Sequence, residues 1–220
     1  MRLFSSFGIP VRLHYSFIVL AAAWVIYNGL SLGLQSALVS ALIGGFLFGS
    51  VLLHEFGHAL MAKTFGIETR HITLYPFGGI AAIESEPPTG LKEFFISIAG
   101  PAVNFILAGF MAPLLLIDMQ IVPWLIGINL VMGIFNLIPA FPMDGGRIFR
   151  SLLCLKIEKE RATMISLNFS LGWAALFLIT GAYFQGYGLI LVGAFLFYIV
   201  NQERKRIKHN QSSRLELPES

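Results

Sequence analysis

Charge placement constrains this chain more than any other feature. Six apolar stretches can be read along it, over 13–32, 38–62, 94–117, 122–138, 164–183 and 186–200. The last is short for a bilayer core of about 30 Å, which takes about 20 helical residues to cross. All 15 lysines and arginines fall outside the loops between stretches one and two, three and four, and five and six. Arg2 and Arg12 precede the first stretch, and Lys63, Arg70 and Lys92 follow the second. Arg147, Arg150, Lys156, Lys159 and Arg161 follow the fourth, and Arg204, Lys205, Arg206, Lys208 and Arg214 close the chain. A six-span arrangement puts every one of them on one side. Positive residues stay cytoplasmic, so both termini are expected there.

Composition agrees with a membrane class. The chain is 56% hydrophobic and 12% charged, where soluble domains carry about a quarter charged residues. The single cysteine, Cys154, excludes an internal disulfide and a cysteine-rich zinc site. No cleavable signal peptide is evident, because the first apolar stretch lacks a small-residue cleavage site. The expected fold is an all-α polytopic membrane protein with six transmembrane helices. Residues 1–202 are expected to form the core, and 203–220 a basic, then polar, mobile cytoplasmic tail.

Ionisable groups inside apolar stretches are costly, each at about 2.5 kcal/mol or more at bilayer depth. The second stretch nevertheless contains His54-Glu55-Phe56-Gly57-His58. On a helix the two histidines share a face, so both imidazoles reach one ion. Glu55 then reaches a water on that ion, the arrangement of zinc peptidases. The alternative is a polar cluster that glues helices together. His54 precedes Lys63 by nine residues, about 14 Å of helix, so the ion would lie in the cytoplasmic part of the membrane.

Residues 72–83 are apolar, rich in strand formers and interrupted by Pro76, Gly78 and Gly79. Two short strands joined by a turn fit best. Irregular backbone at membrane depth is tolerated only beside protein or a watery cavity, so a small sheet is expected next to the site, between spans two and three. Its free edge, with Tyr75, Phe77, Gly78 and Gly79, could accept an extended substrate segment. A plain surface hairpin is the competing possibility.

The third stretch carries Gly100-Pro101 and Asn104, a kink and a buried amide for which helix packing and catalysis are both open. The fourth ends in Asn136-Leu-Ile-Pro139-Ala-Phe-Pro142-Met-Asp144-Gly145-Gly146-Arg147, which cannot be continuous helix. Catalytic zinc usually takes three protein ligands, and the second stretch supplies two. Asp144 is the only acidic residue between Asp118 and Glu158, and a third ligand is one reason for it. Capping of a helix over 146–155 is another. His14 near the first span is expected at headgroup level.

Taken together, these motifs resemble the site-2 protease family of intramembrane zinc metalloproteases. The resemblance rests on His54-Glu-Phe-Gly-His58, Pro76-Phe-Gly-Gly79, Gly100-Pro-x-x-Asn104 and the stretch from Asn136 to Arg147, in order and spacing through all six spans. The chain is similar to the short branch that includes the sporulation sigma-factor-processing protease. It ends about twenty residues after span six, so no CBS pair is expected, and no PDZ-like insert is visible. The resemblance implies one Zn2+ per chain held by His54, His58 and Asp144, with Glu55 as general base. It also implies that Asn136 lies near the scissile carbonyl as an oxyanion or substrate-positioning group. The implied substrate is a membrane-bound protein precursor with a transmembrane segment, cut in regulated intramembrane proteolysis. The lipid bilayer is the other expected partner, with no nucleic acid. A metal transporter or sensor and an inactive scaffold are the rival classes. A second ligand cluster along a path is missing for the first, and intact Glu55 and Asp144 argue against the second.

Overall fold

A two-residue turn starts the chain. Phe7 and Gly8 both adopt positive φ, 52° and 81°, the geometry that joins two antiparallel strands whose twist it matches. The strands are β1 (Arg2–Ser6) and β2 (Ile9–Leu13). The computed structural model describes residues 1–75, 78–83, 89–117 and 119–215, with backbone alone for 78–83 and 208–215. Helix α1 (Tyr15–Leu32), helix α2 (Leu34–Thr64), β3 (Thr69–Tyr75) and β4 (Gly78–Ile83) follow. Then come α3 (Leu91–Met111), a 3-10 turn (Ala112–Ile117), α4 (Val122–Asn136), α5 (Asp144–Leu153), α6 (Lys159–Tyr183) and α7 (Tyr187–Leu215).

The expected sheet is present and larger than expected. β3 and β4 pair antiparallel, with Tyr75 opposite Gly78. The expectation confined the sheet to the segment between spans two and three. In fact the N-terminal hairpin joins it, β2 running parallel to β3 with Val11 opposite Ile72, and the order is β1-β2-β3-β4. The signal is the alternation of Ile9, Val11 and Leu13, only five residues long and interrupted by Pro10.

By internal contact the chain falls into two units, Met1–Pro87 with Ile98–Ile134, and Pro88–Ser97 with Phe135–Ser220. In the first, period-2 alternation puts Ile9, Val11, Leu13, Ile72 and Leu74 on one sheet face. That face is closed by Phe56 and Ala59 of α2, with Phe48, Val51 and Leu52 around them. The two α2 turns that carry the histidines are thus braced by the sheet. His14 caps α1, its Nδ1 accepting from the Ser16 amide at 3.3 Å, and stacks on Tyr75 with ring centroids 4.8 Å apart. It is also tied to β3, its own amide donating to the Leu74 carbonyl.

In the second unit, the Pro139–Met143 loop is packed inward. Ala140 and Met143 are buried with Ala174 of α6 and Leu196 of α7. The Phe141 amide donates to Ser170 Oγ at 2.9 Å. Gly145 lets α5 start directly under this loop, since a Cβ there would lie 2.3 Å from the carbonyls of Leu137 and Ile138. Arg150 of α5 pairs with Glu93 at the start of α3 and lies 5.2 Å over the Phe141 ring.

Each of the six apolar stretches carries an α-helix over most of its length. Four helices are long and apolar enough to cross a membrane among the described residues: Tyr15–Leu32, Leu34–Thr64, Leu91–Ile117 and Lys159–Tyr183. α4 is apolar but has 15 residues. α7 continues as helix through the basic cluster after Val200, as far as Leu215. The chain is a predominantly helical membrane protein with a small sheet, and four of the six expected spans meet the length and composition for crossing.

Candidate metal centre

The sheet brace and the helix repeat bring the two histidines together. His54 and His58 lie one turn apart on α2, and their Nε2 atoms are 3.0 Å apart with rings nearly perpendicular, at 83°. Two nitrogens at tetrahedral positions about 2.05 Å from one zinc ion would stand about 3.3 Å apart. The pair therefore has the spacing of co-ligands. His54 is 5% exposed and His58 9%.

The far nitrogen of His54 is engaged as well. Its Nδ1 is 2.6 Å from Asn104 Oδ1 on α3. A carboxamide oxygen only accepts, so Nδ1 carries the proton and Nε2 keeps its lone pair for a ligand. Asn104 is fully buried at 0% exposure, and a helix-packing role and a site role coincide in it. Gly100, one α3 turn earlier, explains the close approach. A Cβ there would lie 2.3 Å from His58 Nε2 and 2.7 Å from His54 Nε2.

Asp144 is the first residue of α5 and is 7% exposed. The N-cap position of α5 belongs to Met143, so Asp144 stands at the first helical position rather than at the cap. A carboxylate in the first turn is favoured by the helix dipole. Ligand atoms of His54, His58 and Asp144, one from each, lie within 4.8 Å of one another. Two imidazole nitrogens and one carboxylate oxygen make a donor set that suits zinc and leaves a coordination position open.

The other candidates have the following places in the fold. Glu55 is half-buried on the same α2 turn, and Asn136 is half-buried at the last residue of α4. Tyr75 ends β3, which is flanked by strands on both sides, so it is not on the free edge. Gly78 and Gly79 open β4, the outer strand on that side. Pro76 and Phe77 fall outside the described residues. Sequence reasoning missed Asn129, a fully buried amide within the apolar α4, whose partner is Asn104 at 3.0 Å. Its signal was the lone amide in the 122–135 stretch, visible by the same argument that singled out Asn104.

A model of peptidase family M50 matches residues 42–120 and 117–179, which takes in the histidine pair, Asn104 and Asp144. The chain belongs to peptidase family M50. Among M50 relatives, a zinc metalloprotease of Methanocaldococcus jannaschii, MJ0392, is 38% identical over 218 residues, covering 94% of this chain and 61% of its own length. Stage IV sporulation protein FB of Bacillus subtilis is 32% identical over 152 residues, 67% of this chain and 51% of that protein. The chain thus spans between half and two thirds of the length of these relatives. A solved structure of a site-2 protease from M. jannaschii superposes with a TM-score of 0.70 at 36% identity, over 92% of this chain and 94% of that one. The resemblance to the site-2 proteases therefore holds in sequence and in fold.

Proposed function

We propose that this M50 chain is an intramembrane zinc endopeptidase that cuts membrane-bound protein precursors within or beside a transmembrane segment. The observation that carries the proposal is the buried His54, His58 and Asp144 donor set, with a glutamate adjacent to the first histidine in a helix of membrane-crossing length. One Zn2+ per chain fits that set. When bound, zinc supplies Lewis acidity that polarises a peptide carbonyl and acidifies water.

The side chains then divide the remaining work. His54 and His58 would hold the ion through ring nitrogens, and Asp144 through a carboxylate oxygen. Glu55 takes a proton from the attacking water and delivers it to the leaving amine nitrogen. The Asn136 amide donates to the carbonyl oxygen as charge builds on it. A substrate helix must unwind to offer a carbonyl, because its backbone groups are paired internally and unpaired ones are costly in lipid. The β4 edge would accept the freed groups as an added strand, with Gly78 and Gly79 allowing close approach. Six membrane crossings with both termini in the cytoplasm complete the proposal. Its support is the one-sided placement of the 15 positive residues.

The test is Glu55→Gln, reconstituted in liposomes with a model transmembrane substrate. The variant should retain one equivalent of zinc and lose cleavage by about 10²–10⁴-fold, the range of a removed general base. Cleavage at the parental rate would overturn the assignment.

A further inference from the structure

Four polar groups of the first unit form a buried line from α4 to the histidine pair. We propose that Asn129 and Asn104 are positioning residues that set the tautomer of His54, with their direction anchored by one backbone carbonyl. The inference rests on zinc being the ion held there.

The line takes its direction from its far end. Asn129 approaches the Leu125 carbonyl at 3.2 Å, and a carbonyl accepts only. The atom facing it must therefore be the Nδ2 of Asn129, not its oxygen. The same Nδ2 gives its second hydrogen to Ser50 Oγ at 3.2 Å, so both donors are used. Asn129 Oδ1 is then turned to Asn104 at 3.0 Å, where only an N–H can face it. That turns Asn104 Oδ1 toward His54 Nδ1 at 2.6 Å. His54 must donate from Nδ1, and its Nε2 lone pair points at His58 Nε2, 3.0 Å away. Reversing either amide would set donor against donor or acceptor against acceptor. Ser50, Asn104 and Asn129 are 0–2% exposed, so no water shell would absorb such a mismatch.

Without Asn129, the Asn104 amide loses the partner that holds its direction. Its NH2 can then face His54 Nδ1 and select the Nε2–H tautomer, which cannot ligate through Nε2. The carboxyl of Asn129→Asp keeps the direction, because as a neutral acid it accepts from Asn104 and donates to Leu125. An Asn104→Asp carboxylate only accepts, so His54 remains a donor whatever stands at 129.

The experiment measures zinc affinity of purified full-length protein by competition with a chromophoric chelator. It also reads the tautomer of metal-free protein from 15N shifts of the histidine rings. Asn129→Leu is expected to weaken zinc about 10- to 100-fold, the scale of a lost partner behind a ligand, and to convert His54 toward Nε2–H. Asn129→Asp should hold both readouts near the parent, and Asn104→Asp combined with Asn129→Leu should recover the affinity that Asn129→Leu alone loses. Should Asn129→Leu not purify folded, Asn104→Leu carries the same expectation. Parental affinity and an unchanged tautomer in the leucine variants would overturn the proposal. So would a double variant as weak as Asn129→Leu, since that assigns the loss to packing. A parent that binds no zinc sinks the proposed function instead, and the metal-free tautomer still decides this one.

Discussion

At the scale of single residues, the centre depends on atoms that are absent as much as on those present. Gly100 leaves the space into which both Nε2 atoms turn. A methyl there would lie 2.3 Å from His58 Nε2, far inside contact distance. Gly100→Ala should abolish stoichiometric zinc while leaving helical content intact, checked by metal analysis beside circular dichroism. Asp144→Ala should also lose stoichiometric zinc by metal analysis, because two imidazoles alone leave the ion two protein ligands short of a closed site. Cys154 tests a different environment, at the C-terminal end of α5. Burial first, and the nearby Glu93 charge second, push its thiol pKa up. Less thiolate is present at a given pH, so maleimide labelling at pH 8 should be slower than for a free cysteine. The rate should keep rising about tenfold per pH unit above the point where the free thiol levels off.

At the scale of elements, two devices hold the ligand-bearing backbone. The sheet packs Ile72, Leu74 and the β2 residues on Phe56 and Ala59, which alternate with the site residues of α2. The second device is the Glu93–Arg150 pair, which joins the start of α3 to α5. Both side chains are largely buried, at 5% and 14% exposure. Removing one member of a buried pair strands the other charge and costs about 3–5 kcal/mol. Arg150→Ala should therefore destabilise by about that much in thermal or denaturant unfolding, whereas Glu93→Gln with Arg150→Met should cost far less. That difference separates stranded charge from lost packing.

At the scale of the whole molecule, the outer surface of the helices is apolar. No residue of the α1 window is buried, and Val19, Leu20, Trp24, Ile26 and Leu30 are exposed. Exposed apolar surface of this extent marks a lipid boundary rather than a water boundary. The protein should stay in the membrane fraction through an alkaline carbonate wash and leave it only with detergent. Release by carbonate would contradict the membrane assignment.

The sequence by itself determined the helices, the histidine pair and the family. Those features are written in local periodicity, in the cost of charge in lipid and in motifs at fixed spacing, none of which needs a folded context. His54 and His58 share a face because four residues make about one turn, whatever lies around them. The β3–β4 pairing was legible for the same reason, from a run of strand formers broken by glycine and proline. Only the tertiary structure decided that the N-terminal hairpin completes the sheet, since β2 and β3 pair across more than fifty residues and no local pattern encodes that partnership. It alone joined Asn104 to Asn129 and His54 in a single direction of hydrogen bonds. An amide in a sequence can face either way, and its direction is chosen by the acceptors that folding brings to it.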